Sequence, residues 1–223
     1  MKKKIVVTVF SVLLATTMMP LSTFAESDLN NEKKAATEIT KQINENVYQL
    51  LDFDDKQEEE FATKGFITAP ETLTIKDDND NTIFDQSVYD FVKDTDAPDS
   101  ANPSLWRNTQ LNTNYGLFQV SDDIYQVRGY DISNMTFVRS DNGWIILDCM
   151  ASETTAKAAL DLFKSEMGDV HISAVIISHA HVDHYGGIQG ILTAEELADS
   201  TLSLEDQIAS GKTAIIVPEG FQE

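Results

Sequence analysis

The sequence has only one cysteine and, after its first 25 residues, no long apolar run. Cys149 has no second cysteine with which to form a disulfide within the chain, so stability must come from buried side chains or bound metal. No later segment approaches the roughly 18 consecutive apolar residues of a membrane helix. We therefore expect no permanent membrane anchor.

Basic residues are also scarce: the chain has 16 lysines and arginines against 37 aspartates and glutamates, a formal net charge of −21. Residues 1–25 contain three lysines and no acid, so their removal leaves a formal charge of −24. A chain this acidic repels phosphate groups, which excludes nucleic acid as a partner. We interpret the acidic runs 52–60 and 77–80 as solvated faces or loops.

Residues 1–25 have the pattern of an export signal. Three lysines at positions 2–4 precede a mostly apolar stretch over 5–14, and small residues lie near Ala25. This pattern predicts cleavage after Ala25 and a secreted or extracytoplasmic mature protein.

A connection rich in helix-breaking residues, 94–103, divides the remaining chain. Before it, apolar spacing predicts a helix over 35–51, and alternating residues predict short strands at 66–68, 73–75 and 82–84. We therefore expect an N-terminal helical and short-strand segment over 26–100 that wraps around a domain over 101–223.

The second half predicts an α/β fold. Its β-rich stretches, separated by turn residues, are 116–120, 124–127, 135–138, 144–147, 172–177 and 213–217. The strand at 172–177 is an almost unbroken apolar run, which is typical of burial between two layers of helices. Predicted helices cover 152–167, with Ser152 as N-cap and Gly168 as terminator, and 194–198, with an extension through 204–210.

Three of the four histidines fall within six residues, directly after the predicted buried strand. Imidazole nitrogens and carboxylate oxygens are ligands of zinc and similar divalent ions. His179 and His181 can share one metal if the loop is extended there, while Asp183 and His184 turn towards a second metal as a helix begins.

Two simpler explanations of this cluster are an exposed polar loop and a purely structural metal site. A structural zinc site is normally closed by four ligands, often cysteines, and this cluster has no cysteine beside it. His171, alone before the strand, is interpreted as a surface or core residue and not as a ligand. Gly186 and Gly187 allow backbone or metal to approach closely.

The segment HAHVDH resembles the H-x-H-x-D-H signature of the metallo-β-lactamase superfamily, whose αββα sandwich carries this loop at its edge. Further segments resemble linear alkyl sulfatases, namely residues 102–107, 116–118, 124–131, 133–135 and 217–221. The likeness covers most of the chain from about residue 51. Only about the first half of the sandwich is expected, because relatives have longer chains and further metal and sulfate ligands beyond the point matching Glu223.

The resemblance implies two divalent metal ions, with zinc as the leading candidate. His179 and His181 would hold one ion, and Asp183 and His184 the other; Asp183 is also the candidate catalytic residue. Asp148 matches an aspartate that supports the site from behind the ligands. A metal-activated water would be the nucleophile.

The implied reaction is hydrolysis of a primary alkyl sulfate ester, a small-molecule substrate, to alcohol and sulfate. The full-length family form is expected to be a homodimer. Two alternatives stay open at this point. One is another reaction of the same superfamily, such as lactam or thioester hydrolysis. The other is a truncated, non-catalytic secreted metal-binding fragment.

Overall fold

A computed structural model describes residues 34–221. The predicted export signal lies outside these residues. The helices are α1 (Glu38–Leu50), α2 (Gln57–Thr63), α3 (Pro103–Leu111), α4 (Glu153–Met167), α5 (Val182–Tyr185) and α6 (Leu204–Ala209). The strands are β1 (Phe66–Thr68), β2 (Thr74–Lys76), β3 (Thr82–Asp85), β4 (Gly116–Ser121), β5 (Ile124–Arg128), β6 (Met135–Ser140), β7 (Gly143–Leu147), β8 (Ile172–Ile176) and β9 (Ala214–Ile216). No helix among the described residues is long and apolar enough to cross a membrane.

The main sheet has seven strands in the order β1-β4-β5-β6-β7-β8-β9. Neighbours from β1 to β7 are antiparallel, whereas β7, β8 and β9 run parallel. Strands β6 and β7 form a tight hairpin, with Ser140 opposite Gly143 and Gly143 at φ 126°. Because β7 and β8 run parallel, their carboxyl ends lie at the same edge of the sheet.

Helix α4 covers one face of this sheet, and both of its predicted ends are confirmed. The Ser152 hydroxyl accepts the Thr155 backbone N–H at 3.1 Å, and Gly168 ends the helix at φ 82°. An apolar stripe of this helix is buried, and it ends at Phe163. The Phe163 ring stacks on Phe137 with a centroid distance of 3.8 Å and meets Trp144 edge-on at 4.8 Å. This aromatic cluster packs α4 against β6 and β7.

The predicted helix over 194–198 is wrong. Glu196 instead turns back to accept hydrogen bonds from the Thr193 backbone N–H and hydroxyl, at 2.7 and 2.8 Å. Leu197 forms an isolated parallel bridge with Thr213. Because this pairing requires extended backbone, helical structure resumes only at α6.

Two helices were not predicted. The acidic run 52–60, interpreted as a solvated face or loop, enters α2 at Gln57, and its side chains there are exposed. Helix α3 begins at Pro103, at the end of the breaker-rich connection. The Asn102 side chain caps it by accepting the backbone N–H groups of Ser104 and Leu105, and proline is well tolerated at a first helical position.

The three short strands before residue 94 are confirmed, and they join two different sheets. Strand β1 pairs with β4 in the main sheet, whereas β2 and β3 form a separate antiparallel pair. Leu73 and Ile75, at the β2 side of that pair, are buried in the same apolar core as α4. The domain boundary near residue 100 stays a prediction.

Candidate metal centre

Two loops meet where the parallel strands β7 and β8 end. Parallel strands present their carboxyl ends at the same edge, a common location for sites in α/β proteins. Asp148 directly follows β7, and the histidine loop begins two residues after β8. The Asp148 carboxylate accepts the Ser178 backbone N–H and hydroxyl, each at 2.8 Å. The loops are therefore tied together at their first residues.

Asp148 has a left-handed backbone conformation with φ 56°. This conformation is uncommon for residues other than glycine, but aspartate tolerates it better than most. Burial raises the pKa of the Asp148 carboxyl, but hydrogen bonds from Ser178 and His184 outweigh it, so that the pKa lies below the usual 3.8. Asp148 thus stays a carboxylate that can accept hydrogen bonds.

The three loop histidines form a compact group. The ring centroids of His179 and His181 lie 4.5 Å apart, and those of His179 and His184 lie 4.0 Å apart. Nδ1 of His179 lies 2.9 Å from the Ser178 hydroxyl, which leaves Nε2 as the ring's donor atom for an ion. His181 precedes α5 and is exposed.

His184 lies between two carboxylates. Its Nδ1 is 2.7 Å from Oδ2 of Asp148, and its Nε2 is 3.2 Å from Oδ2 of Asp183. The side chains of His184 and Asp183 are each 22% exposed, which places the pair at the rim of the core. The predicted site residues are thus all at one edge of the sheet, and Asp148 contacts His184 directly.

Residues behind the loop hold it close to the start of α4. The backbone carbonyl of His184 accepts the Cys149 N–H at 2.8 Å, and the thiol of Cys149 lies 3.4 Å from the same oxygen. A side chain at Gly187 would place a Cβ atom 2.0 Å from the Cys149 carbonyl oxygen, and one at Gly186 would be 2.4 Å from that of Ala151. Both glycines therefore permit a close approach of backbone to backbone.

Comparison with known proteins identifies the fold. Residues 128–207, which include β6 to β8 and the whole histidine loop, match the metallo-β-lactamase superfamily. This part of the chain is therefore similar to the domain of that superfamily. The expected α/β fold of the metallo-β-lactamase type is confirmed by the mixed sheet with helices and by the solved structures that it resembles.

The related proteins are alkylsulfatases. The chain is 44% identical over 191 residues to a linear primary-alkylsulfatase of Pseudomonas sp., covering 85% of this chain and 27% of that protein. It is 38% identical to an (R)-specific secondary-alkylsulfatase of Pseudomonas sp. over 97% of this chain and 30% of the relative. An alkyl/aryl-sulfatase of Saccharomyces cerevisiae is 35% identical over 82% of this chain and 27% of its own length.

A solved structure shows the same likeness in three dimensions. The inverting sec-alkylsulfatase of Pseudomonas sp. superposes with a TM-score of 0.73 at 39% identity, over 85% of this chain and 28% of the other. The chain therefore spans less than a third of the length of these relatives and is a partial alkylsulfatase-like chain.

The match to the metallo-β-lactamase superfamily implies the use of divalent metal ions. The loop supplies donors of the right chemistry, three imidazoles and a carboxylate. Within residues 34–221, no three His, Cys, Asp or Glu side chains are arranged as the ligands of one ion. The loop thus supplies only part of a coordination sphere. The assignment of His179 and His181 to one ion, and of Asp183 and His184 to the other, stays a prediction.

Two residues that sequence reasoning missed, Ser133 and Asp131, make hydrogen bonds to the metal loop and to the start of α4. Both lie in the loop between β5 and β6. The Ser133 hydroxyl donates to the backbone carbonyl of Asp183, and Asp131 accepts the Ala151 N–H at 3.1 Å and the Thr155 hydroxyl. These residues lie in segments that resemble alkyl sulfatases, but nothing in their local pattern indicates a role beside the metal loop.

His171 is far from this group along its strand. It lies before the start of β8, whereas the metal loop follows the end, and its side chain is exposed. Its backbone carbonyl accepts the Trp144 N–H at 2.8 Å. His171 thus makes a backbone hydrogen bond at the end of β8 that lies away from the metal loop.

Proposed function

We propose that the chain is part of an exported, metal-dependent hydrolase that converts a primary alkyl sulfate ester and water into an alcohol and sulfate. The observation that carries this proposal is the pairing of the HAHVDH loop with Asp148 at one sheet edge. The identity of 44% to a primary-alkylsulfatase favours this substrate class over a lactam or thioester.

The proposed ligands are His179 and His181 for one ion and Asp183 and His184 for the other. Zinc is the leading candidate, because histidine and carboxylate ligands suit it. When bound, such ions supply Lewis acidity that activates water and stabilises charge developing on the ester.

Each protein group has a separate task in this scheme. Asp148 holds Nδ1 of His184, which directs the other ring nitrogen outwards beside Asp183. Ser178 holds His179 in the same way. Ligand histidines held through their second nitrogen are better oriented and more basic. Asp183, the candidate catalytic residue, has its backbone fixed by Ser133.

The first test is elemental metal analysis of the purified chain after equilibration with zinc. We expect bound zinc in the wild-type chain, and the double variant His179→Ala, His181→Ala should lose the ion that this pair holds. His171→Ala is the matched control, since it removes a histidine at the other end of β8, and it should retain zinc. A zinc content of the double variant equal to that of the wild type would refute the ligand assignment.

Substrate class needs a second assay. Sulfate release from octyl sulfate is measured by ion chromatography for a full-length form that contains this chain and the same variants. The expected result is release that depends on both the metal and His179. Hydrolysis of a thioester or lactam without sulfate release would replace the sulfatase proposal by another activity of the superfamily.

Export and assembly complete the proposal. Residues 1–25 support secretion with cleavage after Ala25, which N-terminal sequencing of the secreted protein tests. A homodimer is proposed for the full-length form. Light scattering of that form distinguishes a dimer from a monomer.

A further inference from the structure

A cavity of about 530 Å³ lies beside the loop that connects β5 and β6. Its volume is within the range of small-molecule sites, roughly 300–1,000 Å³. The wall includes Gly129, Asp131, Ile132 and Asn134 from this loop, together with residues of α2, α3 and β3. Ser133 of the β5–β6 loop donates to the carbonyl of Asp183 in the metal loop. The β5–β6 loop therefore contacts both the cavity and the metal loop.

Arg128 lines this cavity and has no carboxylate within ion-pair distance among the described residues. Arg139 is a useful contrast, since its guanidinium also covers an aromatic ring but pairs with Asp123 at 3.5 Å. Burial lowers the pKa of Arg128 from its usual value. In a chain with 37 acidic residues, a half-buried arginine that lacks an acidic partner leaves its charge available to a ligand.

The Arg128 side chain is held in a fixed orientation. Its guanidinium carbon lies 4.4 Å from the ring centroid of Phe118, and its Nε donates to Oε1 of Gln126 at 2.7 Å. Gln126 is fixed in turn, because its amide donates to the Thr136 hydroxyl at 2.9 Å. The terminal nitrogens of Arg128 form no hydrogen bond with the described residues, and a planar guanidinium suits the oxygens of a carboxylate or sulfate.

The rest of the wall has two kinds of surface. Asn112 and Asn134 provide side-chain amides that form no hydrogen bond with the described residues. Phe84, Leu111 and Ile132 provide apolar surface. Asp131, the acid in the wall, is already engaged by Ala151, Thr155 and its neighbour Ile132. The cavity thus combines a cation, free amides and an apolar wall.

We propose that this cavity binds a small organic anion, a sulfate ester or carboxylate, with the oxyanion on Arg128 and the short carbon chain against Phe84, Leu111 and Ile132. The identification of a sulfate ester as the natural ligand rests on the proposed function. Binding of an organic anion does not rest on it, because no metal ligand contributes to the wall.

The test is calorimetric titration of the metal-free chain with butyl sulfate, butyrate, butan-1-ol and inorganic sulfate. Butyl sulfate and butyrate should both bind if the oxyanion is the shared determinant, and preference between them shows which source the site favours. Arg128→Gln should weaken butyl sulfate at least about tenfold, because it removes charge-assisted hydrogen bonds. Arg139→Gln, the matched control, should change the affinity by less than about twofold, as for an exposed pair.

Two further variants separate loss of the site from loss of folding. Arg128→Lys keeps the charge and should retain part of the affinity. Ala62→Phe fills the cavity from α2 and should abolish binding although Arg128 is unchanged. Unchanged binding in Arg128→Gln, equal binding of butan-1-ol, or no binding of either organic anion to the wild-type chain would overturn the proposal.

The two proposals fail separately. A wild-type chain that binds butyl sulfate but no zinc would contradict the proposed metal chemistry and retain the anion site. A chain that binds zinc without binding butyl sulfate or butyrate would do the reverse.

Discussion

Oδ2 of Asp148 lies 2.7 Å from Nδ1 of His184, a contact between residues that are 36 positions apart in the chain. We expect Asp148→Asn to lower zinc affinity about 10–100-fold, because loss of a carboxylate behind a ligand histidine has that typical cost. Competition with a chromogenic chelator measures the affinity. Asp161→Asn, on the exposed face of α4, is the control and should bind zinc like the wild type.

Ser133→Ala removes the hydroxyl that donates to the carbonyl of Asp183. The free energy of unfolding should fall by about 1 kcal/mol, the usual contribution of such a hydrogen bond. Zinc affinity should fall as well, because the loop loses a fixed point. Ser140→Ala removes a comparable bond, from Ser140 to the carbonyl of Gly143, and should lower stability without affecting zinc. Equal zinc affinity in both variants would show that Ser133 only stabilises the fold.

Gly187→Ala would place a methyl group 2.0 Å from the Cys149 carbonyl oxygen. The backbone at 148–151 must then move, and we expect a loss of more than about 3 kcal/mol, beyond the usual cost of overpacking. Zinc affinity should fall too. Gly211→Ala meets no atom within 4 Å but has φ 73°. Its expected cost, measured by urea unfolding, is about 1–2 kcal/mol from backbone strain, with zinc binding unchanged.

Phe163→Ala removes the ring that stacks on Phe137 and touches Trp144. Loss of a buried phenylalanine typically costs about 3–5 kcal/mol, partly because a cavity remains. Urea unfolding followed by tryptophan fluorescence measures this change. Phe61→Ala, at a side chain that is 56% exposed on α2, should cost far less.

Tyr130 gives the fold a dependence on alkaline pH. Burial, with a smaller contribution from Tyr115, raises the pKa of its phenol from 10.0 to about 12. Below pH 10 the phenol is neutral in the folded and unfolded states. Between pH 10 and about 12 the unfolded chain loses this proton first, so that stability decreases as the pH rises. Tyr130→Phe should flatten this part of the stability profile, and an unchanged slope would assign it to another group.

Local signals account for the elements that the sequence predicted correctly. Ser152 and Gly168 fix the ends of α4 by capping chemistry that involves only neighbouring residues. The same is true of the turn before Gly143. The metal loop was recognisable because its histidines and aspartate are consecutive, and its position after a buried strand was confirmed.

Long-range contacts explain what sequence reasoning missed. Residues 194–198 have helical spacing, but the bridge between Leu197 and Thr213 holds them extended. Ser133 and Asp131 are distant in sequence from their partners Asp183 and Thr155, and a serine or aspartate alone gives no signal of such a contact. The sequence likewise could not show that Arg128 has no carboxylate partner among the described residues, because this depends on the folded surroundings of its side chain.

Strand β1 joins the sheet from a distant part of the chain, with Phe66 opposite Phe118. Strands β4 to β7, in contrast, follow one another through short connections. Closing a long loop costs more entropy than closing a short one, so the β4–β7 meander should assemble earlier during folding. Strand β1 is also a three-residue edge strand, so its amides should exchange with solvent before those of the central strands β5 and β6.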